Sequence, residues 1–156
     1  MELIVSMALF SIAIVAVLTL LSMGISAQRK VLALQNVQEN ARFLLEFITK
    51  EIRMSIISGS TASALDIILP GGERIGYSFV NGKIERRTIP GNLGGPINSV
   101  DTVVNGNFYT AGIGTADNLE PKVTITLSVQ GIGAKIEEQA RIDLQTTLSQ
   151  RTPDLP

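Results

Sequence analysis

The sequence predicts an α+β protein in which one long N-terminal helix packs on a small antiparallel β-sheet head. Three observations predict it. The N-terminal segment holds an uncharged apolar run, residues 28–57 repeat apolar side chains every three or four positions, and after Gly59 the repeat shortens to two. The expected divisions are a membrane-spanning helix over 1–27, its amphipathic continuation over 28–57, a β-rich head over 58–150 and a polar tail over 151–156.

None of the 25 residues from Leu3 to Ala27 is charged, and 19 are Ala, Val, Ile, Leu, Met or Phe. As a helix this run is about 37 Å long, enough to cross a hydrocarbon core of about 30 Å. Arg29 and Lys30 follow it, placed to snorkel to headgroups. A secretory signal fits poorly, because the only flanking charge before the run is acidic, at Glu2, and the run is too long. The positive-inside rule, applied to Arg29 and Lys30, puts the C-terminal part in the cytoplasm, so composition alone leaves orientation open.

The helix is expected to continue past the membrane. No Pro precedes Pro70, and Gly24 is the only Gly before Gly59. Val31, Leu34, Val37, Ala41, Leu44 or Leu45, Ile48, Ile52 and Ile56 recur at helical spacing. Leu34, Val37, Ala41, Leu45, Ile48 and Ile52 are the expected stripe against the head, and Ser58-Gly59-Ser60 the expected stop. The resulting helix of about 55 residues far exceeds the roughly 11–12 usual in globular proteins. Phe43 and Phe47, one turn apart, either widen the head-facing side or offer a second contact to neighbouring helices.

The head reads as strands. Leu65 to Leu69 is a short one, ended by Pro70-Gly71-Gly72. Ile75–Val80 and Lys83–Ile89 flank Asn81-Gly82, the dipeptide that accepts the positive φ angles of a two-residue type I′ turn. A Gly/Pro/Asn-rich loop covers Pro90 to Ser99. Val100–Val104 and Asn107–Thr110 are weaker strands around a second turn signal, Asn105-Gly106. Val123, Ile125, Leu127 and Val129 alternate with polar residues. After Gly131-Ile132-Gly133 the alternation resumes from Ile136 to Leu148, with Glu138 as a candidate bulge.

Composition excludes much. Thirteen Lys and Arg against fourteen Asp and Glu give a net charge of −1, so nothing draws the whole chain to nucleic acid. With no His and no Cys, structural zinc, thiol nucleophiles, Ser-His-Asp triads and disulfides are unavailable. No catalytic, cofactor-binding or metal-ligating residues are expected. Gly112-Ile113-Gly114-Thr115 lacks a P-loop lysine, and Asp66, Asp101 and Asp117 lack calcium-loop spacing. Lys83, Arg86 and Arg87 are more readily a charged hairpin edge than an anion or DNA site.

Met1-Glu2-Leu3-Ile4-Val5 before an apolar run resembles the start of type IV pilin and type II secretion pseudopilin subunits. Gln38-Glu39-Asn40-Ala41-Arg42-Phe43, then Phe47-Ile48 and Glu51-Ile52-Arg53, is similar to the stalk of minor pilins and minor pseudopilins. Leu144-Gln145-Thr146-Thr147-Leu148 is similar to their closing strand. The resemblance implies a pilin-like fold and a structural filament subunit. It implies insertion in the inner membrane with the N-terminus cytoplasmic, then a place in an extracellular or periplasmic filament. Its partners are then copies of itself or other pilin subunits, the membrane, the pilus or secretion assembly machinery, and a prepilin peptidase if a basic leader lies upstream. Aligned on Glu2-Leu3-Ile4-Val5, the chain begins a few residues inside the processed terminus of that family. The helix-breaking Pro and the head Cys pair of many major pilins are absent here. In that family the acidic residue at the position of Glu2 neutralises the terminal amine of a neighbouring subunit, and Leu3, Ile4, Val5, Phe10 and Ile14 fall in the filament and membrane helix. The different-class alternative is a single-pass, membrane-tethered extracytoplasmic binding module that does not polymerise.

Overall fold

The computed structural model describes residues 2–91, 93–113, 120–133, 135 and 139–150. The strand start at Ile136, the bulge at Glu138, Gly114-Thr115, Asp117 and the tail all lie outside them.

Helix α1 runs unbroken from Glu2 to Arg53, 52 residues. Glu2 in its first turn and Lys50 and Arg53 in its last oppose the helix dipole. Within the apolar part the hydroxyls of Ser6, Ser11 and Thr19 donate back to the carbonyls of Glu2, Met7 and Val15. These three hydroxyls are thereby satisfied inside the helix, as hydrocarbon surroundings require.

The helix ends earlier than its pattern suggests. The last turn tightens as the Met54 and Ser55 amides donate to the carbonyls of Glu51 and Ile52, each at 3.2 Å, and the Ser55 hydroxyl caps the Glu51 carbonyl. Ile56, expected on the helical stripe, and Ile57 belong instead to strand β1 (Ile56–Ser60). Two adjacent β-branched residues prefer the pleated conformation, and Ile56 and Ile57 find partners in Ile68 and Ile67.

The head holds two antiparallel sheets. The first, in spatial order, is β1, β2 (Ala64–Ile68), β3 (Arg74–Val80), β4 (Lys83–Ile89) and β5 (Gly94–Pro96). The second is β6 (Thr102–Ala111), β7 (Lys122–Gly131) and β8 (Arg141–Ser149). The β3–β4 hairpin has the expected register, Val80 opposite Lys83. Asn81 and Gly82 have φ of 50° and 72°, the left-handed pair that a type I′ turn demands. β5 adds a short strand within the Pro90–Ser99 loop, so β4 is flanked on both sides and is not the charged edge expected of it.

The second Asn-Gly is not a turn. β6 passes straight through Asn105-Gly106 and pairs continuously with β7. Val104, Gly106 and Phe108 fall on one face, and a Cβ on Gly106 would lie 2.2 Å from the Thr126 carbonyl oxygen and 2.7 Å from Cζ of Phe79. Phe79 fills that space and packs on Phe108, ring centroids 4.9 Å apart. Gly106 therefore serves close approach rather than chain reversal. Gly106→Ala is expected to force β6 from β7 and cost about 1–3 kcal/mol. An unchanged thermal midpoint of the head, in detergent, would refute this.

One core joins the parts. Val37, Ala41, Leu44, Ile48 and Ile52 of α1 meet Val123, Ile125, Leu127 and Val129 of β7, with Leu65, Ile67, Ile75, Tyr77 and Ile84 from the first sheet. The helix lies along β7 and β8. Hydrogen bonds stitch the sheets together, from the Val104 amide to the Gly82 carbonyl (2.7 Å), from Phe108 to Ala62 (2.9 Å), from Ile57 to the Gln150 side chain (3.1 Å), and between the Ser60 and Thr110 hydroxyls.

Candidate assembly helix and its junction with the head

Every residue from Glu2 to Ile25 is exposed. Leu3, Ile4, Val5, Phe10 and Ile14 are among them, and none is covered by the head. Glu2 occupies the first turn, exposed. A water-exposed apolar surface of this extent is unsustainable for a monomer in solution, and the helix is long and apolar enough to cross a membrane.

The first residue of α1 that the head buries fully is Val37. Val37, Ala41, Ile48 and Ile52 are buried, and so is Leu44. Leu45 is half-buried and packs at the rim of the core. Leu34, placed on the stripe by spacing, is 40% exposed. At its level the helix turns Ala33, Asn36 and Val37 toward the β6 and β7 ends, so Leu34 points past the head. Phe43 and Phe47 stack with centroids 5.9 Å apart. Phe47 packs against the core while Phe43 stays exposed. The face is widened by one ring, and the other is left free.

Near the top of α1 a polar cluster ties the helix to the first sheet. The Tyr77 hydroxyl donates to Oε2 of Glu51. Arg86 closes a two-pronged pair, Nε to Oε2 at 3.1 Å and Nη2 to Oε1 at 3.0 Å. Burial, then the neighbouring Glu51 carboxylate, pushes the Tyr77 hydroxyl well above the ordinary tyrosine range. The hydrogen bond to Glu51 likewise holds Arg86 more firmly protonated. Sequence reasoning assigned Arg86 to a solvated hairpin edge. The hairpin register sets it directly opposite Tyr77, which was legible; that their shared face meets Glu51 on the helix was not.

Beside the junction, an open groove of about 850 Å³ separates α1 from edge strand β8, with Ala41, Leu45, Ile142 and Leu144 at its floor. The opposite face of the second sheet is polar. Tyr109, Thr124 and Thr147 form one cross-strand row, and Asn107, Thr126 and Gln145 the next. Thr124 and Thr147 share a hydrogen bond of 2.9 Å. Asp143, held below the usual carboxylate range by the Ser128 hydroxyl and then Arg141, lies on this face. Among the described residues no three His, Cys, Asp or Glu side chains gather as metal ligands would.

Compared with protein-family models, curated proteins and solved structures, the chain matches none. What stands is its architecture, an α+β protein with one long N-terminal apolar helix carrying antiparallel sheets.

Proposed function

We propose that the chain is a structural subunit of a filament of the type IV pilus or type II secretion pseudopilus kind, assembled from the inner membrane through α1. One observation carries this reading. The helix that is long and apolar enough to cross a bilayer runs on without a break into the core of the head, 52 residues from Glu2 to Arg53. About 20 suffice to cross a bilayer. A simple tether has no use for continuity of the same rigid helix into the core of the head, whereas subunits that pack helix against helix do.

On this reading the N-terminus is cytoplasmic and the head lies outside. Arg29 and Lys30 then mark the outer interface. The partners are copies of the same chain or related pilin subunits, the assembly machinery, and, if a leader lies upstream, a prepilin peptidase. The subunit performs no catalysis and needs no cofactor; binding by the head is secondary to assembly.

Intact-mass and N-terminal peptide analysis of the protein from its native host tests the proposal. The expected result is a processed start a few residues upstream of Met1, on an N-methylated residue. An unprocessed start at Met1, or a cut near Gly24, would leave a plain tethered module or a secreted head and end the filament reading.

A further inference from the structure

We infer that the lower face of the head is a docking surface for anionic phospholipid, on which the head rests while α1 is still in the bilayer. The inference depends on α1 spanning the membrane and goes beyond the filament reading, concerning the subunit before assembly.

Two loops reach down α1. The β5–β6 loop carries Val100, 86% exposed, and the β7–β8 loop carries Ile132, 60% exposed. The Ile132 amide donates to the Asp101 carbonyl at 2.8 Å, so the two apolar tips are held as neighbours. Ile132 and Asp101 line the same recess as Arg29 and Ala33, which places the tips at the level where the uncharged run has just ended. Lys135 reaches lower, sharing a depression with Leu21, Ile25 and Arg29. It lies more than a hundred residues from Lys30 in sequence, yet arrives at the same boundary.

Exposed apolar tips beside cations, at the height where a spanning helix leaves hydrocarbon, match an interface of acyl carbon below and phosphate above. The opposite end of the head lies about 36 Å higher up the helix, near Met54. Continuity with the spanning helix thus fixes the occupant, because whatever surrounds Leu21 and Ile25 also meets Lys135. In a membrane that is the outer edge of the hydrocarbon, from which a lysine snorkels up to the phosphate layer. Phosphate attracts Lys135 and Lys30, and Val100 and Ile132 enter the acyl boundary.

The chain has no cysteine, so single-site labelling tests this on the full-length protein. An environment-sensitive fluorophore is placed at Ile12→Cys, Val100→Cys or Met54→Cys. The protein is reconstituted in phosphatidylcholine vesicles with or without one quarter phosphatidylglycerol, and aqueous iodide and headgroup-level nitroxide lipids serve as quenchers. With phosphatidylglycerol, the Val100 probe is expected to be shielded from iodide and quenched by the nitroxide lipid, and the Met54 probe open to iodide. Lys135→Gln should lower the ratio of docked to undocked head about fivefold in the anionic vesicles and leave neutral ones unchanged. A Val100 probe as open to iodide as Met54, or shielding indifferent to lipid charge and to Lys135, overturns the inference. Shielding lost on diluting the protein in the bilayer assigns the face to a second copy and overturns it too. The Ile12 probe separates the failures, since one that is not lipid-buried refutes the spanning helix itself.

Discussion

Glu2→Ala is expected to leave the chain in the membrane and to keep it out of filaments. In the isolated subunit Glu2 is exposed in the first helical turn, where water and the helix dipole both favour its charge. Nothing in the monomer therefore depends on it, and removing one interfacial carboxylate makes insertion slightly easier. In a filament built as proposed, the same turn is packed among apolar helices. A neighbour's terminal amine buried there is tolerable only when paired, and stranding it costs about 3–5 kcal/mol. That corresponds to more than about a hundredfold loss of incorporation. The measurement is the ratio of chain in sheared filaments to chain in membranes, in the native host. Normal incorporation of the variant would remove Glu2 from the assembly mechanism; loss from the membrane would reveal an insertion defect instead.

Glu51→Ala is expected to be the most damaging single change at the junction. It leaves the Tyr77 hydroxyl and the Arg86 guanidinium without their shared acceptor. Breaking a fully buried pair costs about 3–5 kcal/mol; Glu51 and Arg86 keep 20% and 27% of their side chains exposed, so water recovers part of it and about 2–3 kcal/mol remains. Thermal unfolding of the head in detergent measures the loss, and a variant as stable as the parent would show the cluster to be ornamental. The pH dependence gives a separate reading. Tyr77 holds its proton more tightly folded than unfolded, so its contribution is complete below the ordinary tyrosine value of about 10. As pH rises beyond that, the unfolded chain releases the proton and the folded one does not. Stability then falls, by up to about 1.4 kcal/mol per pH unit. Tyr77→Phe should flatten that slope.

The organisation was legible where periodicity and turn chemistry agree. The uncharged run, the 3–4 spacing and the Asn81-Gly82 hairpin each involve neighbours in sequence, and each appears in the fold. Asn105-Gly106 carries the same dipeptide signal as the true turn, yet the inward parity of Val104, Gly106 and Phe108 is unbroken across it. Parity outweighs a dipeptide, because a register slip would turn a whole strand inside out. The end of α1 was misread for a related reason. Ile56 continues the helical spacing by arithmetic, but its β-branched pair with Ile57 and the partners Ile67 and Ile68 take it into a strand. Leu34 obeys the spacing and still misses the head, since a stripe says which face is apolar and not how far the partner extends. The Glu51, Tyr77 and Arg86 cluster needs three elements to be docked before it exists, and nothing local announces it.

The way α1 meets the second sheet has a mechanical consequence. Val37 to Ile52 lie alongside β7 and β8, so tension applied to the lower helix acts parallel to the contact. Side chains interlocked in that direction are loaded together, in shear, and must yield as a group. A helix held end-on would peel away one turn at a time at far lower force. With no covalent crosslink available to a chain lacking cysteine, this lap joint is what carries a pull from one end of the molecule to the other.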